Sequence, residues 1–241
     1  AAPVPAPAAE APAETAASAS IVAAMRTAAM ALHSRPPPKA AAAAPAAGEK
    51  KPKGAPMMQV GAWSPPREAF VQYLVDSLHV YAEFERLILT RPLLAGALHG
   101  VGLSRHAQLE ADLAALGVGG AADASATARG YALAVRDAVE RGGAPAFACH
   151  YYNFYFAHTA GGKMIGRRMQ DLFGLELGFY MDYPRGGVDE CVARGKAALE
   201  ELARGWTDDE RAICTAETAV AFKGGGSLLK QIAVMGDDAG D

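Results

Sequence analysis

The sequence predicts an all-α fold built as a single helical domain. Three observations carry that prediction. Apolar residues recur at spacings of three and four, most regularly at Phe70, Leu74, Leu78, Tyr81, Phe84 and Ile88. Serine and threonine stand where such runs begin, and glycine or proline where they end. No stretch of useful length alternates apolar and polar residues as a half-buried strand would.

The elements follow in order. Ser20 can cap a first helix reaching about His33, with Ile21, Met25, Ala28 and Leu32 on one side and Pro36-Pro37-Pro38 as its stop. Ser64 followed by Pro65 marks the start of a second helix that runs through about Leu89. A short helix spans Pro92 to His99. Ser104 opens another that ends in the Gly117 to Gly120 cluster. Residues 124–141 form a helix stopped by Gly142-Gly143, and Pro145 begins a long aromatic helix. A looser segment runs from Gly174 to Gly187, and Val188 to Arg204 is helical. Thr207 and Glu210 make a capping box for a last helix to about Lys223.

Not all 241 residues can be core. Residues 1–18 are nearly all Ala, Pro and Glu, and residues 35–62 are rich in Pro, Ala, Gly and Lys. Such segments cannot bury enough apolar surface to offset the entropy of ordering them. The expected organisation is a disordered tail (1–18), a first helix (19–34), a flexible linker (35–62), the helical remainder (63–235) and a polar tail (236–241). About 190 residues then remain for one domain, enough for a sizeable core. A net charge of −3 gives no bulk attraction to nucleic acid or membrane. No apolar run reaches the length of a spanning helix. Three scattered cysteines, Cys149, Cys191 and Cys214, argue for a reducing compartment and against a disulfide framework. The N-terminal Ala/Pro tract resembles the stub left by an organelle transit peptide, although it lacks the arginines of a full one.

The long aromatic helix contains a local conflict. Gly161, Gly162 and Gly166 lie inside it, and each interior glycine costs about 1 kcal/mol relative to alanine. Ala157 and Gly161, four apart, make a strip with almost no side chain. Either a flat ligand lies against bare backbone there, or another element crosses closely at a small-residue face.

The first helix offers the other half of a site. Arg26 and His33 are seven residues apart, so they share one side at about 10 Å. Ala29, one turn before His33, keeps the space beside it open. Haem asks for this set: an axial imidazole, a small neighbour, and a cation at the propionate edge. An exposed histidine favoured by the helix dipole is the alternative. A flat tetrapyrrole needs two faces, and the Ala157–Gly161 strip suits the second. His79, His99, His106 and His150 have no partner pattern and are expected to be surface or satisfied histidines.

The run from Pro145 to Arg168, containing His-Tyr-Tyr-Asn-Phe-Tyr-Phe-Ala-His-Thr-Ala-Gly-Gly-Lys-Met-Ile-Gly-Arg-Arg, closely resembles plant-type haem oxygenase. So do Met25-Arg26 through Leu32-His33-Ser34, Tyr73 to Ser77, and Trp206-Thr207 through Phe222. The resemblance covers roughly residues 20–34 and 63–232. It implies the all-α haem oxygenase fold, with haem between a proximal and a kinked, glycine-containing distal helix. His33 would be the iron ligand, and Arg26 would meet a propionate. Tyr152 would stand near the propionates, with Tyr155 behind the distal helix. Gly161 and Gly162 match the distal glycine pair. His158 stands where animal members carry an aspartate and plant-type members a histidine, which makes it a candidate distal catalytic group or a purely structural one. Arg194 or Lys196 would supply the basic residue of a late helix. Four residues after His33, where animal members carry a carboxylate, this sequence has Pro37.

The implied reaction opens haem with O2 to biliverdin IXα, carbon monoxide and ferrous iron, haem being both substrate and cofactor. The sequence shows no nucleotide-binding GxGxxG and no CxxC pattern, so electrons would come from a partner. The resemblance implies reduced ferredoxin in the chloroplast stroma; Lys163, Arg167 and Arg168 form a basic patch that is either its docking surface or a solvated helix face. A monomer is expected. A haem carrier or sensor on the same fold is the alternative. A di-iron bundle would need Glu-x-x-His pairs, which are absent.

Overall fold

Helices with one apolar stripe each must bury those stripes on one another. The computed structural model, which describes residues 19–33, 56–118, 122–184 and 186–235, shows the resulting arrangement. The expected tails and the linker from 34 to 55, with its Pro36-Pro37-Pro38 stop, lie outside the described residues.

The described helices are α1 (Ile21–His33), α2 (Arg67–Thr90), α3 (Pro92–Leu98), α4 (His106–Ala115), α5 (Ala126–Tyr151), α6 (Ala157–Phe173), the one-turn α7 (Gly178–Met181), α8 (Gly187–Leu202), α9 (Asp208–Ala216) and α10 (Thr218–Leu229). A 3₁₀ segment (Pro56–Ala62) precedes α2, and a π-helical segment (Tyr152–Phe156) separates α5 from α6. Among the described residues the extended pairing is one isolated antiparallel bridge, Trp63 with Met235.

α2 runs through the core with apolar side chains buried along its length, including Phe70, Leu74, Val80, Tyr81, Phe84 and Leu87. It packs on α3, α4 and α5, and α5 in turn packs on α9 and α10. Polar contacts fix the register of α2 on α5. Buried Asp76 accepts from the backbone N–H (2.7 Å) and hydroxyl (2.5 Å) of Ser125, the residue that caps α5. Further along, Glu83 is held by Arg136 of α5 and by Arg86. Burial works against the Glu83 charge, but the two guanidinium groups hold its carboxyl at about 2.

Four sequence expectations change in detail. Ser64 does not cap α2: its N–H pairs with Val234 O at 2.7 Å, and the helix starts at Arg67. The last part of the supposed linker is ordered as 3₁₀ turns, with Val60 buried. The two helices expected on either side of Gly142-Gly143 join end to end across a kink at Gly143, whose φ of 61° favours glycine. The helix opened by the Thr207–Glu210 capping box, which is present, stops at Ala216; Glu217 intervenes and α10 carries on to Leu229. The three cysteines are free and buried.

Two of the three helix glycines are explained by packing. α7 lies against α6, and the Tyr180 ring fits where Gly162 and Gly166 have no side chains. A Cβ at Gly166 would sit 2.8 Å from Tyr180 Cβ and 3.0 Å from its Cγ. Gly130 of α5, by contrast, has open space around it. Gly166→Ala is therefore expected to destabilise the fold by about 1–3 kcal/mol. Gly130→Ala should stabilise it by roughly 0.5–1 kcal/mol. Denaturant unfolding of the two variants checks both signs, and equal effects would contradict the packing account.

Candidate functional site

The site is built around the π-helical segment. Its core side is aromatic. Phe154 stacks on Phe84 of α2 (centroids 5.4 Å apart, rings within 7°), and Tyr155 stacks on Tyr151 at 4.3 Å and meets Tyr81 edge-on at 4.9 Å. These contacts commit Phe154 and Tyr155 inward. Tyr152 and Phe156, 4.9 Å apart, are half-buried, and this segment packs against α1.

The wide turn changes which residues share a face. In an α-helix, five steps of about 100° would leave Tyr152 about 140° from Ala157. A π turn advances less per residue, so Tyr152 rotates back toward the Ala157 side. Asn153 supports the transition: its Nδ2 donates to Cys149 O at 2.9 Å, just upstream. The outcome is a juxtaposition with α1. Burial raises the Tyr152 phenol above its ordinary range, and Arg26 of α1 lies close enough for its charge to pull the other way.

On α1, Met25 is fully buried, Ala29 is half-buried and Arg26 is exposed. His33 supplies the last residue of the helix, and its side chain lies outside the described part. Its expected role as an iron ligand is therefore carried by sequence position. On α6, Gly161 is buried without a side chain, whereas Ala157, Ala160 and Met164 are exposed. A helix face of small and apolar residues that is exposed among the described residues suits a flat apolar ligand. A cation and a phenol beside it suit that ligand's acidic edge.

His158 is turned into the protein. Its Nε2–H donates to Phe179 O of α7 at 3.0 Å, and its ring packs on those of Phe179 (4.3 Å) and Tyr180 (5.6 Å). Burial pushes its pKa down to about 3, with the Phe179 carbonyl opposing that shift and Arg105 adding to it. The imidazole is neutral, with its Nε2 proton committed to α7. Of the two roles the sequence allowed, this geometry is that of a brace.

α7 is held on three sides, two of them by groups that sequence reasoning did not single out. Asp112 of α4 accepts from the N–H groups of Gly178 (2.9 Å) and Phe179 (2.8 Å). Arg105, only 1% exposed, donates to Asp182 O at 2.5 Å and stacks over Tyr183 at 4.0 Å. His158 takes the third side. The four-residue spacing of Gly162 and Gly166 was the available signal: a groove of that shape needs a large ring to fill it.

The two basic candidates on α8 differ in placement. Arg194 donates to Val101 O (3.1 Å), Glu190 (2.6 Å) and Cys191 Sγ (3.1 Å), so its guanidinium is engaged toward the loop between α3 and α4. Lys196 is exposed. It stands one turn before Glu200, which touches the start of α1, and so lies on the α1 side of α8. In the basic patch of α6, Arg168 is tied to Trp63 O at 2.7 Å, while Lys163 and Arg167 are exposed. His150 is a satisfied core histidine between Glu217 (3.2 Å) and Tyr131 (3.4 Å).

The state of His158 gives a pH prediction. Above its ordinary pKa of about 6.5 neither the folded nor the unfolded chain protonates the ring, and below about 3 both do. Between these limits only the unfolded chain binds the proton, so stability falls as pH drops. His158→Phe keeps a ring in place and removes the titration. Its melting temperature should start lower, because Phe179 O loses its donor, and should fall less steeply than wild type between about pH 6 and pH 4. His150 is present in both proteins and cancels. Parallel slopes would contradict a neutral, buried His158.

Known proteins can now be set beside this arrangement. No family model matches the chain. It is 34% identical to the chloroplastic haem oxygenase 1 of Oryza sativa subsp. japonica over 214 residues, 86% of this chain and 69% of that protein. It is 36% identical to the probable inactive haem oxygenase 2 of the same plant over 177 residues, 71% of this chain and 53% of that one. The crystal structure of haem oxygenase-2 from Synechocystis sp. PCC 6803, in complex with haem and NO, shares the fold with a TM-score of 0.63 at 14% identity, covering 88% of this chain and 84% of that one. The likeness to the first relative spans nearly the whole described domain, and on that ground the chain belongs to the plant-type haem oxygenase family.

Proposed function

We propose that this chain opens haem to biliverdin IXα, with release of carbon monoxide and ferrous iron, using O2 and electrons from reduced ferredoxin. The observation that carries the proposal is the meeting of α1 with the π-helical segment. It brings Arg26 within electrostatic reach of Tyr152 and, among the described residues, leaves Ala157, Ala160 and Met164 exposed. The chloroplastic relatives support a place in the plastid stroma.

Each residue then has a task. The His33 imidazole would hold the iron. Arg26, Lys196 and Tyr152 would hold the two propionates, the cations by charge and the phenol by hydrogen bonding. Arg194 would contribute by fixing α8 on the α3–α4 loop. Bare backbone at Ala157 and Gly161 would admit the macrocycle closely, leave room for a diatomic gas and block a second side-chain ligand. Gly162 would let Tyr180 press α6 from behind. His158, neutral and bonded to Phe179 O, would keep the distal backbone from shifting, so that one meso edge is favoured. Bound haem supplies the iron at which O2 is reduced and the meso carbon at which the ring opens. Lys163 and Arg167 present exposed positive charge for an acidic electron donor.

The likeness to a probable inactive relative supports a second reading, a haem carrier on the same fold. Retention of His33 in the sequence favours the enzyme. One experiment separates the two. Wild type and His33→Ala are titrated with haem, then supplied with ascorbate and an iron chelator while the Soret band is followed. Wild type should bind one haem and lose its Soret band to a bilin spectrum, whereas His33→Ala should fail to turn over. A stable Soret band in wild type would overturn the enzymatic reading. In the same titration Lys196→Ala should weaken haem binding by about tenfold, the worth of one charge-assisted contact. Arg194→Ala should act mainly on stability.

A further inference from the structure

The first turn of α1 is held from outside by an acidic side chain. The N–H groups that open a helix have no partner within it. Here Ser20 Oγ accepts from Ala23 N at 3.0 Å. The Glu200 carboxylate of α8 accepts from Ile21 N at 3.2 Å and Val22 N at 3.1 Å, and from the Ser20 hydroxyl. Arg211 of α9 adds a second grip, donating to Ala19 O at 2.7 Å and to Ala203 O at 3.0 Å. A carboxylate at this end also meets the positive pole of the helix dipole.

The apolar anchoring of α1 lies at the same end. Among its described side chains, Ile21 and Met25 are buried, while Thr27 and Met30 are exposed and Ala28, Ala29 and Leu32 are half-buried. The helix is thus fastened near its start and bears His33 at its finish, about 18 Å away. At that length a tilt of only 5° at the anchored end displaces the far end by about 1.5 Å, enough to spoil a metal–ligand geometry.

We propose that Glu200 is a positioning residue for the haem-bearing helix: its carboxylate sets the tilt and register of α1, and through them the place of the His33 imidazole. The inference rests on the reading of α1 as the proximal helix. It also unites two tasks on α8, because Lys196, one turn before Glu200, lies on the same face. The helix that would neutralise a propionate thereby fixes the helix that would hold the iron.

The test compares Glu200→Ala, Glu200→Gln and Lys196→Ala in the full chain. The first readout is amide hydrogen exchange across 21–33 without haem. In Glu200→Ala these amides should exchange about tenfold faster, with those of α5 unchanged, because first-turn fraying is a local opening. Glu200→Gln keeps an acceptor oxygen and should recover most of the protection, which also covers failure of the alanine variant to fold. Lys196→Ala should leave exchange at the wild-type rate. The second readout is the iron–histidine stretching band of the reduced haem complex, which should shift or broaden in Glu200→Ala and return toward its wild-type position in Glu200→Gln. Wild-type protection of α1 in Glu200→Ala, or a band that does not move while α1 frays, would overturn the proposal. Should wild type show no iron–histidine band, the reading of α1 as proximal helix fails, while exchange still decides whether Glu200 holds the helix.

Discussion

Five residues of wide helical turn, Tyr152–Phe156, are the constraint on which the rest of the site depends. They join α5, itself kinked at Gly143, to α6. The segment divides its side chains between two environments. Phe154 and Tyr155 enter an aromatic core built from Tyr81, Phe84 and Tyr151, while Tyr152 stays within electrostatic reach of Arg26 on α1 and Phe156 lies against Gly195 of α8. Aromatic pairs of this kind contribute about 0.5–1.5 kcal/mol each beyond area burial, so the core side offsets the departure from α geometry. A site for a flat, two-ended ligand would need its polar end and its apolar face on one side, and a turn that advances less per residue rotates Tyr152 in that direction.

Behind α6 lies a second layer whose task is stiffness. α7 is a single turn, too short to be stable alone. Asp112 caps its start, Arg105 holds its end and His158 reaches its middle from α6. Three buried polar groups on one short turn would be costly if any were left unpaired. Satisfied, they specify a single position for Tyr180, and Tyr180 specifies how closely α6 can approach through Gly162 and Gly166. A neutral His158 is part of this economy: burial at that depth disfavours a charged ring, and one N–H suffices for one carbonyl.

Much of this was legible in the sequence, and the gaps have physical causes. The all-α architecture, α2, the helix expected at 124–141 and the Thr207–Glu210 capping box follow from local spacing and capping, which a sequence displays directly. The glycine conflict in α6 was also visible, but its resolution was not. Tyr180 accounts for Gly162 and Gly166 through a close crossing, while the exposed face belongs to Ala157, Ala160 and Met164, with Gly161 buried beside it. The π turn escaped because its signature is a register shift, and a 3.6-residue periodicity assumes the register it would need to test. Arg105 and Asp112 escaped because charged residues are rarely buried, and nothing local announces a partner about 70 residues away. Glu200 and Arg211 are long-range caps on α1, invisible for the same reason.

The central claim is that haem lies between α1 and α6 with its acidic edge at Tyr152. A crystal structure of the chain grown with haem tests it most directly. The account predicts His33 on the iron, propionates directed to Arg26, Tyr152 and Lys196, the Ala157–Gly161 backbone against the opposite face, and the wide turn retained at 152–156. A macrocycle bound elsewhere, or a regular α-helix through 152–156 with Tyr152 turned into the core, would contradict it.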